Sequence, residues 1–195
     1  ASASDYSDAT SNYGIFQHDC IGSNGAGAWM VGITDDLIVS TDNGDNWSLV
    51  SGSNFFAGGN DVKSVNYANG VWLIGGENGK IKRTADNGVT WTDQDSAFGS
   101  NTIVAMAFGG AGASVANVWM AVGAGPLMSR STDNGITWAA VDPGHNVTLN
   151  AIASNGSGSW AACGNSGQLG YSTDDGSTWT FATASTGTGV NLRGI

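Results

Sequence analysis

The sequence predicts an all-β protein, a β-propeller of four-stranded antiparallel blades, and three observations carry that prediction. An eight-residue box recurs four times at near-constant spacing. All eight tryptophans fall into two columns of the same repeat. The composition, with 31 glycines, 2 prolines and only 11% charged residues, suits short strands and tight turns rather than helices. A period of about 40–45 residues holding four short strands is that of one propeller blade.

Each repeat reads as strands a to d. Strand a is short and apolar, with Ile21, Val65, Met106, Ile152 and Ile195 in register. Strand b carries the first tryptophan column, in AWMVG (Trp29), VWLIGG (Trp72), VWMAVG (Trp119) and SWAACG (Trp160). Strand c runs into the box: STDNGDNW at 40–47, TADNGVTW at 84–91, STDNGITW at 131–138 and STDDGSTW at 172–179. The box aspartates are spaced by 44, 47 and 41 residues. Strand d is expected to start at the box tryptophan.

The box has a physical explanation as a turn. Gly44, Gly88, Gly135 and Gly176 supply the positive φ that a D-N-G or D-D-G turn demands. Asp42, Asp86, Asp133 and Asp174 accept backbone N–H groups within their own turns. Trp47, Trp91, Trp138 and Trp179 then cover the hairpin with apolar surface. These twelve residues are expected to be structural.

The pattern S-x-D-x-G-x-x-W resembles the Asp-box, or BNR repeat, of sialidases, xyloglucan-cleaving glycoside hydrolases, sortilin-type receptors and photosystem assembly factors. The resemblance spans all four repeats, approximately 18–61, 62–102, 103–148 and 149–191, with partial repeats at 1–17 and 192–195. It implies the propeller fold, with the box as a peripheral turn away from the active face, and is specific for fold rather than function. Both ends fall within a repeat. This favours a stretch of a six- or seven-bladed array, its open edges covered by further sequence or a neighbouring chain, over a four-bladed ring with tails.

Catalysis is tested next. The resemblance implies that a sialidase would bring an arginine triad, a Tyr/Glu nucleophile pair and an acid Asp. The chain has three arginines, and Arg83 and Arg130 precede boxes on strand c, where solvated edge positions are expected; Arg193 is the third. Other glycosidases need two carboxylates about 5–9.5 Å apart. Outside the boxes the acids weighed are Asp19, Asp61, Glu77, Asp93, Asp95 and Asp142, with no pair singled out. His18 stands where other repeats carry Val62, Ile103 or Leu149, a structural position. No catalytic residue is assigned, and the reading favours a non-enzyme.

Cofactors are expected to be absent. Two histidines and the lone cysteines Cys20 and Cys163 build no zinc site. The cysteines read as buried free thiols, with one long-range disulfide as the alternative. Asp35, Asp36, Asp42 and Asp45 offer oxygens for at most a weak Ca²⁺ site, without EF-hand spacing. The uncharged stretch 105–128 is long enough for a membrane span, but five glycines and the repeat register cut it into two strands.

With alternating strands, box turns lie on one face of the propeller and the b–c turns and d–a linkers on the other. The d–a linkers vary most. They carry Phe55, Phe56 and Phe98 beside Asp93, Asp95, Asp142 and His145. Aromatics among acids fit a glycan or protein partner; the alternative is that these phenylalanines close the ends of the core. Phe55, Phe56, Phe98, Asp93, Asp95 and His145 are the candidate ligand residues. A net charge of -10 argues against nucleic acid. The expected function is a non-catalytic recognition or assembly module on a secreted protein, cell surface or virion. The alternative is part of a glycoside hydrolase whose catalytic residues lie elsewhere.

Overall fold

Four antiparallel sheets of four strands each make up the array, and in every sheet the strands follow chain order. The computed structural model describes residues 20–50, 56, 58, 60–110, 115–183 and 189–195. The first blade holds β1 (Cys20–Ser23), β2 (Trp29–Ile33), β3 (Asp36–Ser40) and β4 (Ser48–Leu49). The second holds β5 (Val62–Ala68), β6 (Val71–Gly76), β7 (Lys80–Thr84) and β8 (Thr92–Asp95). The third holds β9 (Ile103–Phe108), β10 (Trp119–Gly123), β11 (Met128–Ser131) and β12 (Ala139–Val141). The fourth holds β13 (Leu149–Ser154), β14 (Trp160–Gly164), β15 (Gln168–Ser172) and β16 (Thr180–Thr183). The uncharged 105–128 stretch contributes to β9 and β10. Among the described residues no helix is long and apolar enough to cross a membrane.

The second strand of each blade is apolar in succession rather than in alternation because the sheet is covered on both faces. All of β6 and all of β10 is buried. Consecutive blades stack face to face, with β1 against β5, β5 against β9 and β9 against β13. Among the described residues no comparable packing joins β13 back to β1.

Three cores form between blades rather than within them. Met30 and Leu37 of the first blade meet Val65, Trp72 and Ile74 of the second. Leu73 and Ile81 of the second meet Ile103, Met106 and Trp119 of the third. Met120, Val122 and Met128 of the third meet Leu149, Ile152 and Trp160 of the fourth.

The two tryptophan columns differ in role. Trp72 and Trp119 are fully buried between blades, whereas Trp47, Trp91, Trp138 and Trp179 are only half-buried. The expected start of strand d is corrected by one residue. Each box indole turns back so that its Nε1–H donates to the box glycine carbonyl, and β4, β8, β12 and β16 begin just after it. Neither cysteine is in a disulfide, and the Cys20 thiol donates to the Val62 carbonyl at 3.6 Å. Cys163 is buried, which raises its pKa.

Candidate functional site

The box turns share one network. The Ser or Thr that opens the box donates its hydroxyl to the aspartate Oδ1, at 2.6–2.8 Å in all four. The same hydroxyl oxygen accepts the box glycine N–H at 2.9–3.1 Å. The aspartate also accepts the backbone N–H four residues on, at Asn46, Thr90, Thr137 and Thr178. The side chains of those residues bond its second oxygen. Each carboxylate is therefore consumed by its own turn.

The donors stabilise the charged form. Asp42 is lowered to about 2, chiefly by the Asn46 amide. The Thr84 hydroxyl does the same for Asp86 and the Thr178 hydroxyl for Asp174, both to about 2. At Asp133 burial opposes the shift, but the bonds from Thr137, Ser131 and Ile136 together outweigh it and the pKa is lowered. Carboxylates this acidic do not shuttle protons near neutral pH.

A pH prediction arises here. A carboxyl whose pKa is depressed on folding stabilises the fold above its unfolded value, near 3.9, and loses that contribution as pH falls through the folded value. The melting temperature should therefore hold near neutrality and fall between about pH 4 and pH 2. Circular dichroism melts across that range check it; Asp86→Asn should flatten the decline, and an undiminished slope would contradict the assignment.

The box face also joins blades. Arg83 on β7 donates Nε–H to the Asn134 carbonyl of the next box at 2.9 Å. Arg130 on β11 does the same to the Asp175 carbonyl at 2.7 Å. Both were expected as solvated edge residues, and that reading is corrected: they are latches between blades. The indole of Trp72 donates to Asn87 Oδ1 at 3.2 Å, and that of Trp119 to Asn134 Oδ1 at 3.1 Å. Sequence reasoning missed both devices. The only signal was an Arg at the same box offset in two repeats.

On the opposite face lie the b–c turns and d–a linkers. Phe56 and Phe98 are 2% exposed, so their expected role as ligand-stacking rings is corrected. They plug the ends of the first and second inter-blade cores, because a loop ring is stabilised by closing an apolar sheet end. Phe55, like His18 and Asp19, lies outside the described residues. His145 is half-buried, its ring 4.4 Å from Phe181. Its Nδ1 accepts the Val147 N–H and its Nε2 is buried without a partner. Burial lowers its pKa, opposed by the Asp142 charge. It packs rather than presents a polar group to a ligand.

Asp93 and Asp95 are exposed on β8; Asp93 pairs with Lys82 at 2.7 Å, and Asp95 accepts the Ala97 N–H. Asp142 is exposed and caps its own linker through the Gly144 N–H. The structure brings together Asp61 and Glu77. Glu77 Oε2 accepts the Asp61 N–H at 3.3 Å, while Lys63 holds the Asp61 carboxylate at 2.9 Å. One acid is thus committed to a backbone group and the other to an ammonium. Among the described residues no three His, Cys, Asp or Glu side chains converge on a metal position.

A family model described as the BNR/Asp-box repeat matches residues 38–49 and 129–140. No curated protein matches the chain. Among solved structures, YCF48 bound to D1 peptide superposes with a TM-score of 0.62 at 17% identity, over 88% of this chain and 54% of that one. The GH74 xyloglucanase from Xanthomonas campestris gives 0.60 at 18% identity, over 80% and 28%. The WD40 propeller domain of Doa1 gives 0.62 at 13% identity, over 85% and 54%. The chain spans just over half the length of YCF48 and of the Doa1 domain, and just over a quarter of the xyloglucanase. At these identities the likeness is one of fold: the chain is a β-propeller carrying Asp-box repeats.

Proposed function

We propose that this Asp-box propeller is a non-catalytic recognition module, working outside the cytoplasm and binding a protein partner through its linker face. One observation carries the reading. The box carboxylates are locked into turns, while the linker face exposes Asp95 at the end of β8 and Asp142 on its linker, each fixed by a nearby backbone N–H, with Phe98 buried just beyond Asp95. A preordered loop loses little entropy on binding. An acidic loop set on a chain of net charge -10 favours a cationic partner segment. The burial of Phe56 and Phe98 removes two sugar-stacking rings, which favours protein over glycan. The YCF48 structure, a propeller with a bound peptide, supports this kind of partnering.

The likeness to a GH74 xyloglucanase favours the second reading, part of a glycoside hydrolase. A panel of chromogenic glycosides and xyloglucan, beside glycan and basic-peptide arrays, separates the two. The module reading expects peptide binding that weakens with salt and with Asp95→Ala plus Asp142→Ala, and no turnover. Hydrolysis of any glycoside overturns it.

A further inference from the structure

The linker between β12 and β13 holds a titratable group that the binding surface does not use. His145 accepts the Val147 N–H through Nδ1 at 3.2 Å. A neutral imidazole has one acceptor nitrogen, so its proton sits on Nε2. That Nε2 is buried without a partner, one of four such side-chain atoms among the described residues. The ring lies 4.4 Å from Phe181 of β16, which is itself stacked on Trp179. Pro143 and Leu149, both buried, anchor the segment on either side.

This arrangement tolerates one protonation state only. Nε2 already carries a hydrogen, so an added proton enters at Nδ1 and turns the acceptor into a donor. The Val147 N–H then loses its acceptor, and the imidazolium is left with two N–H groups and no partner for either. A charge so placed is costly unless it is paired. Neither β12 nor β16 carries a titratable residue. β15 carries Tyr171, cross-strand from Thr180 and so on the sheet face opposite Phe181. Asp142, on the same linker, is the one charged group that acts on the ring. It is exposed, and its Oδ1 accepts the Gly144 N–H. Burial holds His145 neutral at pH 7 and moves its proton uptake below the ordinary value of 6.5.

We propose that His145 is an acid-operated release for the linker face: once protonated, the imidazole leaves Phe181, pairs with the Asp142 carboxylate and opens the turn it held at Val147. The proposal rests on the reading of that face as the surface for a cationic partner, and it names how that surface is regulated. Pairing with His145 cancels one of the two exposed carboxylates offered to the partner. Asp95, at the end of β8, keeps its bond to the Ala97 N–H and is untouched. The orphaned Nε2 gains a reason. A ring held by one hydrogen bond and carrying one unsatisfied donor is poised to leave, and leaving satisfies both N–H groups, with the carboxylate and with water. The sign follows from linkage. The closed turn favours the neutral ring, so it holds at and above the ordinary histidine value and is lost as pH falls through the lowered one.

The test titrates the whole chain between about pH 7.5 and pH 5 with two independent readouts. The first is nuclear magnetic resonance. Imidazole nitrogen shifts, assigned with His145→Gln, should show the proton on Nε2 at neutral pH and on both nitrogens in acid. Over the same range the Val147 amide should lose hydrogen-exchange protection, corrected for the intrinsic rate, while the amides of β10 keep theirs. The second readout is the affinity of a lysine-rich peptide at fixed salt. Acid should weaken it by roughly two- to fivefold, the worth of one exposed ion pair. In His145→Gln and in Asp142→Asn the affinity should not change with pH. A Val147 amide that stays protected in acid overturns the proposal, as does an equal pH dependence of affinity in His145→Gln. The two readings fail separately. A chain that shows the ring and amide transitions but binds no basic peptide at neutral pH overturns the partner reading and supports the release of the turn. A chain that binds the peptide without those transitions overturns the release alone.

Discussion

Replacing Gly135 with alanine is expected to destabilise the protein by about 2–5 kcal/mol, summing overpacking and left-handed backbone strain. Its φ is +81°, and an added Cβ would stand 2.6 Å from Leu73 Cδ1 of the preceding blade. The neighbouring boxes repeat this arrangement: Gly88 sits over Met30 and Gly176 over Met120, with Cβ approaches of 3.0 and 2.7 Å. The box glycine therefore does two things. It allows the turn, and it receives a side chain from the blade before. Gly25→Ala separates the two effects, since Gly25 has φ +70° and nothing within 4 Å of an added Cβ. It should cost only about 1–2 kcal/mol, the backbone share. Denaturant or thermal melts of both variants measure the difference. Equal losses would mean that the inter-blade contact contributes nothing.

That double role explains what the sequence could and could not disclose. The box, the tryptophan columns and the strand order are periodic, and a period of about 44 residues is visible without coordinates. Local turn chemistry was legible too, because Ser131, Asp133, Gly135 and Trp138 contact one another within eight residues of chain. Contacts between blades were not. Arg130 and Asp175 are 45 residues apart, and nothing in one repeat says which side of strand c meets the next box. The linker phenylalanines stayed ambiguous for a related reason. Loops carry no alternation that marks an inner face, so the sequence left Phe56 and Phe98 open between stacking on a ligand and closing the cores, and the structure takes the second. Which tryptophan column is buried was equally hidden, since both columns recur with the same period.

Trp119→Ala is expected to cost about 3–5 kcal/mol, the usual loss for a large buried ring. The indole is fully buried, 5.0 Å from the Phe108 ring, and its N–H holds Asn134 Oδ1. Trp138→Ala, at a half-buried box position, should cost distinctly less. The N–H contribution can be isolated with phenylalanine. Trp119→Phe keeps an aromatic ring but leaves Asn134 Oδ1 without the indole donor. The fourth blade carries Asp175 where inner blades have Asn, and Asp175 spends Oδ2 on the Val115 N–H of the adjoining blade. Trp160 Nε1 and Asp175 Oδ1 are both left buried without a partner. Trp160→Phe therefore removes a donor that bonds nothing. The loss of ring volume is common to both variants, so Trp119→Phe should be the more destabilising by about 1–2 kcal/mol. If Trp160→Phe proves as costly, the indole of the fourth blade has a partner in solution, and the Asn-to-Asp difference between boxes does not carry the consequence drawn from it.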